Sequence, residues 1–187
     1  MNKELKSIIK KDFYRYFGDK KPLLWFVNNR TLRCLKVYRK VNFYLKTNKR
    51  LRYYFYNFKL KLLSSKYAFN VYAQKKIGGC YINHNGAITI NPMVELGDNC
   101  VLGAGVTIGR ENRGERNGAP SIGNMVWIGA NAVVVGKITI GDNVLIAPNA
   151  YVNFNVPSNS IVIGNPGKII SNRPNATEGY IKNVVMD

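Results

Sequence analysis

Residues 122–152 read IGNMVWIGANAVVVGKITIGDNVLIAPNAYV. Cut into sixes, every block opens on an aliphatic residue: Ile122, Ile128, Val134, Ile140, Ile146 and Val152. A small residue usually follows, as at Gly123, Gly129, Gly141 and Ala147. Four places after each aliphatic comes a second small or β-branched residue: Val126, Ala132, Ile138, Val144, Ala150 and Val156. Upstream the phase holds at Ile90, Leu96, Leu102 and Ile108. A short fixed period marks a solenoid, in which each repeat buries its apolar side chain against neighbours. The geometry that suits six residues is a triangular coil. Each short strand turns one aliphatic inward, a tight corner of small residues follows, and three hexads complete a coil that pairs with the next through parallel ladders.

Two places break the rhythm. From Ile108 to Ile122 is 14 residues instead of six, and the excess falls in residues 110–120, RENRGERNGAP, a polar loop carrying Arg110, Arg113 and Arg116. The other lies around INHNGA, residues 82–87. Counting back by six from Ile90 lands on His84, the only histidine, and then on Gly78, whereas the aliphatic–glycine pair is Ile77–Gly78, one residue out of phase. The count therefore puts a slip between residues 78 and 90 and sets His84 in an aliphatic slot. A break in a smooth wall makes a cleft, and the loop at 110–120 is expected to wall the same cleft. Imidazole titrates near neutrality, which suits a general base for a hydroxyl acceptor.

Upstream of the repeat the chain changes character. Residues 1–76 hold 21 Lys or Arg against Glu4, Asp12 and Asp19, and residues 77–187 hold seven of each sign, so the whole net charge of +18 sits in the first part. Seventeen of the 22 aromatic residues lie there too. Spacings of three and four predict helices over residues 3–16, 22–47 with Pro22 in the first turn, and 49–65. On the second, Leu32, Leu35, Tyr38 and Cys34, Val37, Val41, Leu45 form the apolar stripe. The expected organisation is a basic helical module at 1–76, a β-helix at 77–170 with the inserted loop 110–120, and a tail at 171–187.

The stretch INHNGAITINPMVELGDNCVLGAGVTIG and the later run through VPSNSIVIGNPGKII resemble the serine acetyltransferase branch of the hexapeptide acyltransferases. The resemblance spans about residues 77–170 and implies a left-handed parallel β-helix, mainly β, behind a short helical module. It implies an acetyl-CoA-dependent O-acetyltransferase, working as a homotrimer with active sites between subunits, with no metal. His84 matches the base that takes a proton from the acceptor hydroxyl, and backbone N–H groups would hold the oxyanion. Ala130 and Ala147 match backbone contacts to the pantetheine arm, or are simply corner packing. Lys168 matches a basic residue near the nucleotide phosphates, with Arg173 a weaker match.

Departures bear on the acceptor. The family's carboxylate that orients the histidine corresponds to Asn70, which cannot stabilise an imidazolium by charge. The family's second histidine corresponds to Ala119. Arg110, Arg113 and Arg116 could receive a carboxylate, shape a sugar pocket or merely solvate the loop. The expectation is a sugar hydroxyl of a surface polysaccharide or lipid-linked glycan precursor, with serine as the alternative. The interleaved cations and aromatics of residues 1–76 suit an anionic membrane surface, which predicts a cytoplasmic protein peripheral to the inner face of the membrane. The same charge permits nucleic acid, but no recognisable nucleic-acid fold accompanies it. A non-catalytic trimeric scaffold is the remaining reading. Cys34, Cys80 and Cys100 are too few and scattered for a disulfide framework or zinc site.

Overall fold

The computed structural model describes residues 2–20, 22–23, 29–71, 77–84 and 86–185. Among these, three helices precede fourteen short strands: α1 (Lys3–Phe17), α2 (Arg30–Lys46) and α3 (Arg50–Tyr67), then β1 (Phe69–Val71) through β14 (Lys168–Ile170). The strands form the three walls of a prism. The first wall stacks β1, β3 (Ile88–Ile90), β6 (Thr107–Gly109), β9 (Val133–Val135) and β12 (Tyr151–Val152). The second holds β4 (Glu95–Leu96), β7 (Ser121–Ile122) and β10 (Thr139–Ile140). The third holds β2 (Cys80–Ile82), β5 (Cys100–Leu102), β8 (Trp127–Ile128), β11 (Val144–Ile146) and β13 (Ser160–Ile163), closed by antiparallel β14.

Register confirms the hexads. Ile90, Ile108, Val134 and Val152 stack on the first wall, Leu96, Ile122 and Ile140 on the second, and Leu102, Ile128 and Ile146 on the third. All ten are buried. The last coil departs from the count: Val156 bridges Ile140 and Val162 pairs with Ile146, 16 residues on instead of 18. The recurring polar residues after the glycines also have a structural reason. Asp98 Oδ1 accepts the Gly79 N–H at 2.6 Å, Asn124 Oδ1 the Asp98 N–H at 2.8 Å, and Asp142 Oδ1 the Asn124 N–H at 2.6 Å. Each side chain thus caps the corner of the coil before it, on the edge between the second and third walls.

The solenoid's first strand, β1, already lies at Phe69–Val71, paired with β3. The helix expected over residues 22–47 begins only at Arg30, because Asn29 is extended at φ −115°, ψ 84°; Pro22 and Leu23 lie outside it, and residues 24–28 fall outside the described residues. Leu45, expected on the buried stripe, is exposed in the last turn of α2. Cys34, Leu35, Val37, Tyr38 and Val41 are buried in one core with the solenoid, and Leu32 is buried beside α1.

One ion pair ties helices to solenoid. Arg39 of α2 grips Asp12 of α1 through Nε at 2.8 Å and Nη2 at 2.9 Å, and donates to the carbonyls of Ile77 and Gly78. Asp12 also accepts the Cys80 N–H at 3.3 Å. Burial pushes the Asp12 carboxyl up, against the pull of Arg39. Removing one partner of such a pair leaves a buried charge, so Arg39→Leu should destabilise the protein by about 3–5 kcal/mol. A raised carboxyl pKa favours the native state at low pH, so this deficit should shrink in acid and grow as pH rises through the Asp12 range; urea melts at acid and neutral pH measure both. Burial also pushes the Cys80 and Cys100 thiols up to about 12 and Cys34 to about 11. All three should resist a thiol-specific disulfide reagent at neutral pH until the chain unfolds.

Candidate active site

The edge where the third wall passes into the first carries half of the expected site residues. Its corners include residues 83–84 with 86–87, then 103–106, 129–132 and 147–150, one per coil, and the turn 164–167 follows on the next coil, where β13 folds back into β14. His84 lies at the first of these, Ala130 at the third and Ala147 at the fourth, and Lys168 begins β14 beside the last. The four are therefore brought to a single line along the prism. With parallel strands about 4.8 Å apart, four steps span about 19 Å.

Why the corners run so close is clear from their glycines. A Cβ on Gly103 would stand 2.6 Å from the Ala130 nitrogen, and one on Gly129 would stand 2.5 Å from the Pro148 nitrogen. The backbone is partly committed: the Ala147 N–H donates to the Val162 carbonyl at 2.8 Å, and the Ala130 carbonyl accepts from the Asn149 N–H at 2.9 Å. Ala130 and Ala147 are both half-buried.

His84 does not fill an aliphatic slot. That slot belongs to Ile82, which is buried and stacks on Leu102. The slip has two parts. Ile77 to Ile82 is five residues, one short, and Ile82 to Ile90 is eight, two long. His84 sits in the lengthened corner, exposed, with φ 62°. The corners of the next coils give left-handed backbone to Gly105, Asn131 and Asn149. Histidine tolerates this region better than bulky residues do.

The corner is held from the helices. Tyr16 Oη accepts the Ile82 N–H at 3.1 Å and lies 3.2 Å from the Ile82 carbonyl and 3.1 Å from Thr31 Oγ1. The Tyr16 ring meets Tyr81 edge-on at 4.6 Å. Neither Tyr16 nor Thr31 was expected at the site, and nothing in a linear pattern links them to it. Beside the corner opens a cavity of about 310 Å³, bounded by Arg30 and Thr31 of α2, Ser65 and Lys66 of α3, Phe69 and Gly86. Asn70 points outward from β1, level with Thr89, and no hydrogen bond joins it to His84 among the described residues.

The inserted loop stands elsewhere. It leaves β6 and enters β7, so it projects from the edge between the first and second walls. Within one chain the loop and His84 do not share a cleft, because they occupy different edges of the prism. Arg110 donates to Asn117 at 2.9 Å and Arg116 pairs with Glu111 at 3.0 Å, while Arg113 is exposed near the tip. Ala119 is half-buried, packed against the core.

Comparison with known proteins agrees with this architecture. Residues 119–153 match the family profile for the bacterial transferase hexapeptide (six repeats), and residues 86–110 match that for the hexapeptide repeat of succinyl-transferase. No curated protein sequence matches the chain. Among solved structures, serine acetyltransferase of Neisseria gonorrhoeae in complex with serine superposes with a TM-score of 0.73 at 24% identity, over 91% of this chain and 70% of that one. The soybean serine acetyltransferase apoenzyme gives 0.76 at 20% identity, over 90% and 70%. Entamoeba histolytica serine acetyltransferase 1 in complex with L-cysteine gives 0.71 at 24% identity, over 86% and 63%. Residues 86–110 and 119–153 thus carry hexapeptide repeats like those of the transferases. The fold, a left-handed parallel β-helix behind a helical module, is similar to that of these serine acetyltransferases.

The single histidine makes the corner easy to probe. Tyr16→Phe leaves the Ile82 N–H without its acceptor and should cost about 1–3 kcal/mol of stability. It should also move the one imidazole resonance in the NMR spectrum; an unmoved resonance would show that the corner is held by other means.

Proposed function

We propose that this chain is an acetyl-CoA-dependent O-acetyltransferase with His84 as its general base. The observation that carries this reading is the alignment of His84, Ala130, Ala147 and Lys168 along one edge of the prism. An extended thioester-bearing arm laid along that edge would bring its acyl end to the His84 corner and its phosphates towards Lys168. His84 would take the proton of the acceptor hydroxyl as the hydroxyl oxygen attacks the thioester carbonyl. The new ester bond forms, the C–S bond breaks, and the proton passes from the imidazolium to the departing thiolate.

The reading includes a homotrimer. His84 is exposed in the single chain, and the arginine loop lies on another edge, so only a neighbouring copy could set such a loop across His84. Arg113 would then be the loop's uncommitted cation towards the acceptor, with Arg110 and Arg116 shaping the loop through Asn117 and Glu111. We place the enzyme in the cytoplasm, where acetyl-CoA is made available to such reactions.

Serine is the acceptor that the comparisons favour, over the sugar hydroxyl suggested by the sequence, because the named structural neighbours are serine acetyltransferases and one holds serine. A sugar hydroxyl remains the second reading, for a specific reason. Asn70 offers no charge to an imidazolium, and two of the three loop arginines are already engaged within the loop. Mass spectrometry after incubation with acetyl-CoA and either serine or candidate glycans separates the two. O-acetylserine formation is the expected result, and acetylated glycan without O-acetylserine would reverse the order. His84→Ala should lower transfer by about 10²–10⁴-fold in either case. Transfer to neither acceptor, or full activity in His84→Ala, would overturn the proposal.

A further inference from the structure

Helix α3 is apolar on two opposite sides, and the fold uses only one. Leu60 is buried, and Tyr53, Tyr56, Leu63 and Tyr67 pack against the core on that side. On the other, Leu51, Tyr54, Phe55, Phe58 and Leu62 are exposed, from 56% at Leu62 to 88% at Leu51. Their spacing of three, one, three and four places all five within about 100° of the helix circumference. By the same geometry Arg52, Lys59 and Lys66 run along one flank of this stripe, and Arg50 and Lys61 along the other. No Asp or Glu occurs anywhere in residues 20–94.

We propose that this face of α3 is a docking surface for an anionic phospholipid bilayer, with the helix lying in the plane of the interface. A contiguous stripe of five large apolar side chains marks a surface with a partner. Its chemistry fits a bilayer: apolar groups for the acyl boundary, a tyrosine for the headgroup level, and cations on both flanks for anionic headgroups. A second copy of the chain fits poorly, because two such faces brought together would oppose cation to cation with no acidic residue in the stretch to pair them. No helix among the described residues is long and apolar enough to cross a membrane, so α3 would lie on the bilayer and not through it. The far end of the same helix, Ser65 to Tyr67, bounds the cavity beside the His84 corner. Docking through α3 would therefore bring that cavity close to the headgroups. The inference stands on the surface of α3 and does not rest on acetyl transfer.

The test uses the full chain and vesicles of phosphatidylglycerol with phosphatidylcholine, against phosphatidylcholine alone. Co-sedimentation with the anionic vesicles is expected, weakened by salt and at least tenfold weaker in Leu51→Ser/Phe55→Ser/Phe58→Ser, whose exposed positions leave the fold intact by circular dichroism. The emission that Phe58→Trp adds to that of Trp25 and Trp127, taken as the difference from the unaltered chain, should blue-shift only when anionic vesicles are added. His84→Ala should bind vesicles like the unaltered chain, so that failure of docking and failure of the catalytic reading are told apart. No binding, or binding that survives the triple serine variant, would overturn the proposal. So would a Phe58→Trp emission already blue-shifted without lipid, or a self-association that the triple variant dissolves, since either shows the face covered by the chain itself or by a second copy.

Discussion

The stacking of each coil on the next through parallel ladders governs everything else in the solenoid. Each wall strand bonds to the strand one coil away, and the inward aliphatics Ile90, Ile108, Val134 and Val152 stack because the ladder allows no other register. Slipping by one residue would turn every inward side chain out. That rigidity converts sequence phase into position. Residues at one phase form a line, and the three corners of each coil become three edges. One edge is finished with a repeated Asp or Asn cap, one carries the arginine loop, and one carries His84 with the alanine and glycine corners. A groove along an edge needs no special design in such a fold; it needs corners small enough to leave one, as Gly103 and Gly129 do.

The same constraint explains what could be read in advance. The hexads were legible because each inward position is set by a local choice of one aliphatic residue, repeated. The edge holding Ala130 and Ala147 followed from that phase. His84 was placed in the wrong slot because two opposite irregularities adjoin: a coil segment one residue short before Ile82 and two residues long after it. Counting detects only their sum. The short final coil escaped for a similar reason, since Val156 satisfies the hexad pattern four places after Val152 and yet serves as the wall residue over Ile140. Tyr16, Thr31 and the Asp12–Arg39 pair were illegible in a different way. They are contacts between modules, made by side chains whose partners lie tens of residues away.

Those contacts assign different tasks to the two modules. The solenoid edge supplies a line of closely spaced corners that depends only on the repeat, so any chain with these hexads could present it. The surroundings of His84 depend on the helices: Tyr16 of α1 holds the strand that leads into its corner, and α2 and α3 bound the cavity beside it. On the proposed reading, the handling of an acyl donor along the edge would be a property of the repeat, and the choice of acceptor a property of the helical cap and the inserted loop. That division makes sense of a chain whose solenoid is electrically neutral while its cap carries the whole net charge. It also explains why the repeat alone, however clearly written, points to the reaction class more firmly than to the acceptor: the residues proposed to meet an acceptor, Arg113 of the inserted loop and those of α2 and α3 around the cavity, lie outside the hexads.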